Sequence, residues 1–297
     1  MLQTNLRPYQ GQSDHPTIAE LDHLMGLGML NYCDPACDMV FAEADGQTIG
    51  YGRVWLNVRD DEHRYHLEVS LRNRTAMHVE QRLFDWVQVR AAAMRQVHSP
   101  GITCSNKFFV PDSRSSLIQL LRENGYTIER TDLTMTRLLS DPIPDAPLPA
   151  GIELRPIAWQ HGHKLAAAMA DCFGYSGHDA VAEMDEAEFD QWLSGTPATA
   201  ADSLAAWSIA DDDVVCMTLN QVDHDAGRGS LNHICTRLAW RGRGLASALI
   251  THCLRTFQAH CLRKAHLGVN DFNTAAMRVY EHVGFAVSSR VYLYSKK

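Results

Sequence analysis

Two halves of the chain repeat the same order of predicted helices and strands, and this repeat limits the folds that the sequence can adopt. The halves begin alike, with NLRPYQ from Asn5 and ELRPIAW from Glu153. A helical pattern, two strands joined by an acidic turn, a third strand and a long helix follow in both. Each half then closes with a short helix, a Gly-aromatic pair and a strand. The sequence therefore predicts one α/β unit that has been duplicated, and the long period excludes a solenoid.

The segment between the halves is rich in proline. SDPIPDAPLPAG, from Ser140 to Gly151, contains four prolines and no helical or strand period. Proline restricts the backbone to extended conformations and removes hydrogen-bond donors, so such a segment is typical of a linker. The sequence predicts a first domain over 1–139, a linker over 140–150 and a second domain over 151–297.

Composition and charge narrow the class of protein. Of 297 residues, 45% are hydrophobic, which is enough for a hydrophobic core, and no apolar run reaches membrane-spanning length. The first residues lack the apolar segment of a secretory signal, so we expect a cytoplasmic protein with no membrane partner and mostly reduced cysteines. The formal charge of -8 argues against a nucleic-acid partner. No metal site is expected, because CDPAC (Cys33 to Cys37) has no second set of ligands at metal-binding spacing.

A glycine- and arginine-rich stretch, WRGRGLASAL from Trp240 to Leu249, lies between a predicted strand and a predicted helix. Gly242 and Gly244 can adopt positive φ and allow an anion to approach the backbone. Arg241 and Arg243 add charge and forked donors, and the helix start adds unpaired N–H groups. Together these features predict a phosphate-binding turn. It is neither a Walker loop nor a dinucleotide-binding loop, because the residues those loops need at later positions are absent.

The order Arg241-x-x-Gly244-x-Ala246 resembles the pyrophosphate-binding loop of the GNAT acyltransferase superfamily. VNDFNTAAMRVYEHVGF, from Val269 to Phe285, is similar to the second signature of that superfamily. The resemblance implies an α/β (α+β) fold of two tandem GNAT-like domains, each with a mixed, mostly antiparallel central sheet flanked by helices. The tandem arrangement is similar to that of mycothiol synthase and its relatives.

The resemblance also implies a reaction, in which acetyl-CoA gives its acetyl group to an amine by direct attack of the amine on the thioester. Tyr280 would protonate the departing thiolate, with an ordinary tyrosine pKa near 10. Many relatives use an acidic residue on the fourth or fifth strand as the general base, but here Gly268 occupies the place where such a residue would help. His233 is therefore the best local candidate for the general base. A plain strand would place His233 on one face with Leu231 and Cys235. The cofactor-binding residues would be Ile234, Cys235, Thr236, Arg241, Gly242, Arg243, Gly244, Leu245, Ala246, Asn270 and Asn273.

Two residues of the second motif suggest structural roles, and the first half lacks the key residues of both motifs. Asn273 is suited to cap a helix or to contact the pantetheine arm, and Gly284 to end that helix in a left-handed conformation. The first half departs from the pattern: LEVSLRNRTAMHVEQRL has no glycine, although Arg72 and Arg74 keep the charge. Leu121 occupies the place of Tyr280. We expect a degenerate first domain without thioester chemistry.

The acceptor stays open at this point. A small-molecule amine is expected, such as an amino sugar, an aminoglycoside, a polyamine or an amino-acid derivative. The alternatives are an acyl-CoA-binding sensor or scaffold without turnover, and a protein N-terminal acetyltransferase. Residues for the acceptor are expected between Phe173 and Trp192, whose acidic run is Glu183, Asp185, Glu186 and Glu188. Both a monomer and a homodimer are compatible with the sequence.

Overall fold

The computed structural model describes residues 4–21, 30–31, 33–58, 62–72, 77–173, 185, 187–188 and 203–297. Within these ranges the chain forms twelve strands and seven α-helices. The strands are β1 (Thr4–Pro8), β2 (Met39–Ala44), β3 (Gln47–Val58), β4 (His63–Leu71), β5 (Cys104–Pro111), β6 (Thr127–Leu138), β7 (Ile152–Pro156), β8 (Leu204–Ser208), β9 (Asp213–Asp223), β10 (Arg228–Thr236), β11 (Lys264–Asn270) and β12 (Ala286–Lys296). The helices are α1 (His15–Leu21), α2 (Pro35–Asp38), α3 (Met77–His98), α4 (Ser115–Glu123), α5 (Gly162–Phe173), α6 (Leu245–Ala259) and α7 (Thr274–His282).

The predicted acidic turns are confirmed in both halves. Asp45 and Gly46 join β2 to β3 with φ of 51° and 74°. Asp212 precedes β9 with φ of 46°. Short polar residues tolerate this left-handed conformation, which tight hairpin turns require.

The chain divides into two compact units, which we call the N-unit (Met1–Thr131 and Arg290–Lys297) and the C-unit (Asp132–Ser289). In the N-unit the strands lie in the order β1-β2-β3-β4-β5-β12, and β4 and β5 are parallel. Its main core packs α3 and α4 against one face of this sheet, through side chains such as Phe84, Leu121 and Phe108.

The C-unit has the strand order β7-β8-β9-β10-β11-β6, in which β10 and β11 are parallel and the other pairs are antiparallel. One face of the sheet packs on α5 through Leu165 and Met169. The other face packs on α6 through Ile250, Leu254 and Phe257. Each unit therefore has the mixed, mostly antiparallel sheet flanked by helices that the sequence predicted.

The last strand of each half of the sequence pairs with a strand of the other half. Asp132–Leu138 of β6 pair with β11 in the C-unit, and Val291–Lys296 of β12 pair with β5 in the N-unit. Residues 139–151 form neither helix nor strand. The compact units have other bounds than the expected domains 1–139 and 151–297, because backbone pairing in a sheet depends on the neighbouring strand and not on position in the sequence.

Candidate active site

The turn between β10 and α6 has the geometry that its glycines suggested. Gly242 and Gly244 adopt φ of 76° and 80°. A Cβ atom built at either glycine would meet nothing within 4 Å, so the space beside the turn is open. The amide of Ala248 donates to the carbonyl of Gly244 at 3.0 Å, which begins the hydrogen bonding of α6. The amides before Ala248 in this first turn are the ones that a helix leaves for other acceptors.

Both arginines of the turn are tied to nearby backbone. Arg241 Nε donates to the carbonyl of Thr236 at 3.1 Å. Arg243 Nη2 donates to the carbonyl of Ala239 at 3.1 Å, and its guanidinium lies 4.5 Å from the centroid of the Trp240 ring. Because a guanidinium carries several N–H donors, each arginine keeps donors for an anion while its position is held.

A cavity of about 620 Å³, which we call the loop cavity, opens between this turn, β10 and α7. Ten of the predicted site residues line it, namely Ile234, Cys235, Thr236, Arg241, Gly242, Gly244, Leu245, Ala246, Asn273 and Tyr280. Cys172 and Phe173, at the end of α5, line it as well. Arg243 does not line it.

A second cavity of about 430 Å³, the bulge cavity, lies where β10 and β11 separate. These strands pair only from Arg228 to Leu231 on β10, whereas β11 continues to Asn270 on its other neighbour, β6. Asn270 and His233, the two remaining predicted residues, line the bulge cavity beside Asn232 and Gly268. Phe173, Ile234, Asn273 and Tyr280 line both cavities.

A β-bulge places His233, and it corrects the expected arrangement of β10. The pairing of β10 with β9 shifts register between Asn232 and Cys235, and His233 has φ of 47°. One inserted residue reverses the alternation of side chains, so Leu231 packs on the α6 face and Cys235 on the α5 face. The expectation that His233 shares one face with both of them is wrong, and His233 is instead exposed at the mouth of the bulge cavity.

A buried side chain of β9 supports the bulge. Thr218 is fully buried, and its hydroxyl donates to the carbonyl of Asn232 at 3.1 Å. The same hydroxyl lies 2.9 Å from Asn220 Oδ1. The backbone that bends away from β9 is therefore hydrogen-bonded by a side chain where the ladder is interrupted.

Helix α7 presents Tyr280 to both cavities. Asn273 caps its first turn by accepting a hydrogen bond from the amide of Ala276 at 3.2 Å, as expected for this position. Tyr280 is only 6% exposed, and burial raises its pKa to about 12, with a smaller contribution from Cys216. The phenol of Tyr280 therefore retains its proton well above pH 10.

The end of α7 is held by an arginine of β6. Gly284 has φ of 90°, which confirms the expected left-handed residue after the helix. A Cβ atom at Gly284 would overlap the guanidinium of the buried Arg137. That guanidinium donates to the carbonyls of Val283, Asp141 and Pro142. Two separate constraints thus require glycine at position 284.

Sequence reasoning missed two residues at or beside the site. Cys172 lies at the end of α5, where a helical pattern alone marks it as a core position, whereas the adjacent Phe173 begins the segment expected to contact the acceptor. Asp132 of β6 lies directly opposite Asn270 of β11, so the two side chains share a face of the sheet. The sequence did not point to Asp132, because its strand was assigned to the first domain and Asn270 to the second.

The corresponding region of the N-unit differs in three ways. The β3–β4 ladder runs in unbroken register from Gly50–Leu71 to Val58–His63, without the bulge seen in β10. Arg72 forms an ion pair with Glu20 at 2.8 Å, and Leu121 is buried in the core. Arg74 lies outside the described residues.

The acidic run after α5 is only partly described. Asp185 and Glu188 form a reciprocal capping pair, in which each side chain accepts from the other's amide at 2.9–3.1 Å. Glu183 and Glu186 lie outside the described residues, as does most of the segment expected to contact the acceptor.

The described part of the chain has no helix that combines the length and apolar character needed to cross a membrane. It also contains no group of three or more His, Cys, Asp or Glu side chains placed to hold a metal ion.

Comparisons with known proteins agree with this architecture. The model of the acetyltransferase (GNAT) family matches residues 164–285. Comparison with curated protein sequences finds no match. A GCN5-related N-acetyltransferase from Sphaerobacter thermophilus is similar over 100% of this chain and 96% of its own, with 23% identity and a TM-score of 0.75.

Two further structures are similar over nearly the whole chain. A tandem GNAT protein from the clavulanic acid biosynthesis pathway has 14% identity and a TM-score of 0.67, covering 99% of this chain and 98% of its own. A GNAT-family acetyltransferase from Colwellia psychrerythraea has 13% identity and a TM-score of 0.63, covering 99% and 100%. At these identities the likeness concerns the fold.

The family match covers the β10–α6 turn, the loop cavity and Tyr280. Residues 164–285 therefore form a domain of the GNAT acetyltransferase family, whose members acylate amines with an acyl-CoA co-substrate. The chain as a whole has the tandem GNAT fold.

Proposed function

We propose that the C-unit transfers an acetyl group from acetyl-CoA to the amine of a small molecule, by direct attack of the amine on the thioester. The observation that carries this proposal is the loop cavity, in which the phosphate-binding turn, the β10 backbone and Tyr280 line one space of about 620 Å³. In this proposal the N-unit has no thioester chemistry.

The open space over Gly242 and Gly244 is suited to a pyrophosphate. Amides of the first turn of α6 and the guanidinium of Arg241 would bind it, and the nearby Arg243 adds positive charge. The pantetheine arm would then follow Ile234, Cys235 and Thr236 as a strand partner, because the backbone of β10 beyond Leu231 is released from β11.

Two proton transfers are needed, and the site offers a group for each. An alkylamine has a pKa of about 10 and must lose a proton before it attacks, for which His233 at the bulge is the proposed base. A backbone amide of the bulge would stabilise the negative oxygen of the tetrahedral intermediate. The protonated phenol of Tyr280 would give its proton to the departing CoA thiolate.

The bulge cavity supports a small-molecule acceptor. Its volume of about 430 Å³ lies within the range of small-ligand sites, and it meets the loop cavity at Tyr280 and Asn273. A mass-spectrometric screen with amino sugars, polyamines, amino-acid derivatives and peptides tests this choice. Acetylation of peptide N-termini alone would instead favour a protein N-terminal acetyltransferase, and acetyl-CoA binding without any product would favour a sensor or scaffold.

Replacing Gly244 by glutamate tests the turn itself. Gly244→Glu puts bulk and negative charge into the proposed pyrophosphate site, so we expect acetyl-CoA binding to be lost in a calorimetric titration. The matched control is Gly101→Glu, because Gly101 has a similar φ of 75° and equally open surroundings in the N-unit. The control should bind normally and should show a comparable backbone strain cost of about 1–2 kcal/mol. Normal binding by Gly244→Glu would refute the assignment of the turn.

A further inference from the structure

Three cysteines from different elements meet at the loop cavity. Cys172 of α5 and Cys235 of β10 line it and are hydrogen-bonded to each other. Cys216 of β9 lies behind them, with Sγ 3.2 Å from Thr236 Oγ1. Cys216 and Cys235 are buried, whereas Cys172 is half-buried at the cavity wall. Cys172 is therefore the thiol that a molecule in the cavity can reach most easily.

The surroundings of Cys172 also favour its thiolate. The hydrogen bond from Cys235 lowers the pKa of Cys172, and Arg241 and Arg237 lower it further, while burial and Asp171 oppose this effect. The same hydrogen bond, together with burial, raises the pKa of Cys235. Burial raises the pKa of Cys216 to about 12. Of the three thiols, Cys172 ionises first, and the thiolate is the nucleophilic form.

We propose that Cys172 is a second acyl acceptor of this enzyme, which takes the acetyl group from acetyl-CoA to form an S-acetyl cysteine in the loop cavity. This inference rests on the proposed function, because the acetyl group comes from acetyl-CoA bound in that cavity. It adds a covalent modification site on the enzyme to the transfer onto an amine.

The step exchanges one thioester for another. The Cys172 thiolate attacks the carbonyl carbon of the thioester, a bond forms between Cys172 Sγ and that carbon, and the bond from carbon to the CoA sulfur breaks. The CoA thiolate leaves and takes the proton of Tyr280 or of solvent, which balances the proton lost from Cys172. No oxidant or energy source is required, because both sides of the exchange contain one thioester and one thiol.

The experiment uses the full chain with acetyl-CoA and no amine. Intact-mass spectrometry should show the gain of one acetyl group, and peptide mapping should place it on Cys172. Treatment with neutral hydroxylamine should remove it, which distinguishes a thioester from an acetylated lysine. Coenzyme A should also slow the alkylation of Cys172 by iodoacetamide at least tenfold, without protecting the exposed Cys261.

Variants separate the site from background chemistry. Cys172→Ser should reduce labelling at least tenfold, whereas Cys37→Ser and Cys261→Ser, at exposed cysteines, should leave it unchanged. Cys235→Ala removes the hydrogen-bond donor and should slow labelling by about three- to tenfold. Cys235→Ser keeps a donor and should restore most of the rate, which a purely structural role of Cys235 would not predict.

Two results would overturn this proposal and leave the proposed function intact. One is labelling of Cys37 or Cys261 as fast as Cys172. The other is a protein that binds acetyl-CoA and acetylates an amine while Cys172 remains unlabelled and unprotected, in which case only this inference fails. A protein that does not bind acetyl-CoA would contradict both this inference and the proposed function.

Discussion

At the scale of single residues, the burial of Tyr280 decides how its phenol can act. Burial raises its pKa to about 12 because a phenolate is poorly solvated there, so the proton is present throughout the usual assay range. A donor of this kind acts only as the thioester breaks, and its effect should fall on the rate and not on cofactor affinity.

Tyr280→Phe removes the hydroxyl and keeps the ring. We expect kcat to fall at least tenfold where chemistry limits turnover, since general-acid catalysis contributes roughly 100- to 10,000-fold. The Kd of acetyl-CoA should be unchanged in a titration. Tyr280 loses its proton only as the pH approaches 12. A decline of the wild-type rate below pH 10 therefore has another cause, and Tyr280→Phe should show the same decline. A normal kcat would make water the proton donor, and a weaker Kd with a normal kcat would make Tyr280 a binding residue.

The proton acceptor is tested at His233, which lines the bulge cavity, and at Asp132, which lies opposite the lining residue Asn270 on the neighbouring strand. If His233 is the base, His233→Gln should reduce kcat by roughly 100-fold or more and remove the acid limb that protonation of the base gives to the pH profile. Asp132→Asn is the comparison, because Asp132 lies opposite Asn270 on the same face of the sheet. The pH dependence of kcat/KM is measured for both. An acid limb that survives in His233→Gln but is lost in Asp132→Asn would transfer the role to Asp132.

At the scale of elements, α7 is positioned at both ends by side chains outside its apolar pattern. Asn273 caps its start, and Arg137 hydrogen-bonds the carbonyl of Val283 at its end. Gly284 lets the chain turn beneath that arginine. The position of Tyr280 therefore depends on a residue of β6 that is far away in the sequence.

Gly284→Ala tests this support. A Cβ atom there would displace the Arg137 guanidinium from three carbonyls, in addition to the cost of a left-handed alanine. We expect a loss of about 2–4 kcal/mol in the free energy of unfolding, measured with urea. Gly151→Ala is the matched control, with φ of 78° and open surroundings, and should lose only about 1 kcal/mol. Equal losses for the two variants would mean that the Arg137 contact contributes nothing.

At the scale of the whole molecule, the placement of β6 determines what a fragment must contain. β11 pairs along its full length with Asp132–Leu138. A fragment that starts at Gly151 lacks this strand and exposes the edge of β11, and unpaired edges promote aggregation. It also lacks Arg137, which supports the end of α7.

We therefore expect the fragment 151–297 to aggregate or to bind acetyl-CoA weakly. The fragment 127–297 keeps β6 and should be the more soluble of the two, as measured by size-exclusion chromatography and by the acetyl-CoA-dependent shift in Tm. A soluble fragment 151–297 with the affinity of the full chain would contradict this expectation.

The sequence alone predicted the features that depend on neighbouring residues. Local conformational preferences predicted four features, and each is confirmed. They are the hairpin turns, the start of α6 directly after Gly244, the cap at Asn273 and the left-handed conformation of Gly284. The resemblance carried by the two motifs in turn indicated the GNAT fold and most of the residues that line the loop cavity.

Only the tertiary structure decided the features that depend on distant partners. The bulge at His233 needs the register of β9 against β10, and the approach of Cys172 to Cys235 needs the packing of α5 on that sheet. The pairing of β6 with β11 and of β12 with β5 joins residues that are far apart in the chain. A local pattern specifies which face of an element is apolar, but it carries no information about which other element will cover that face.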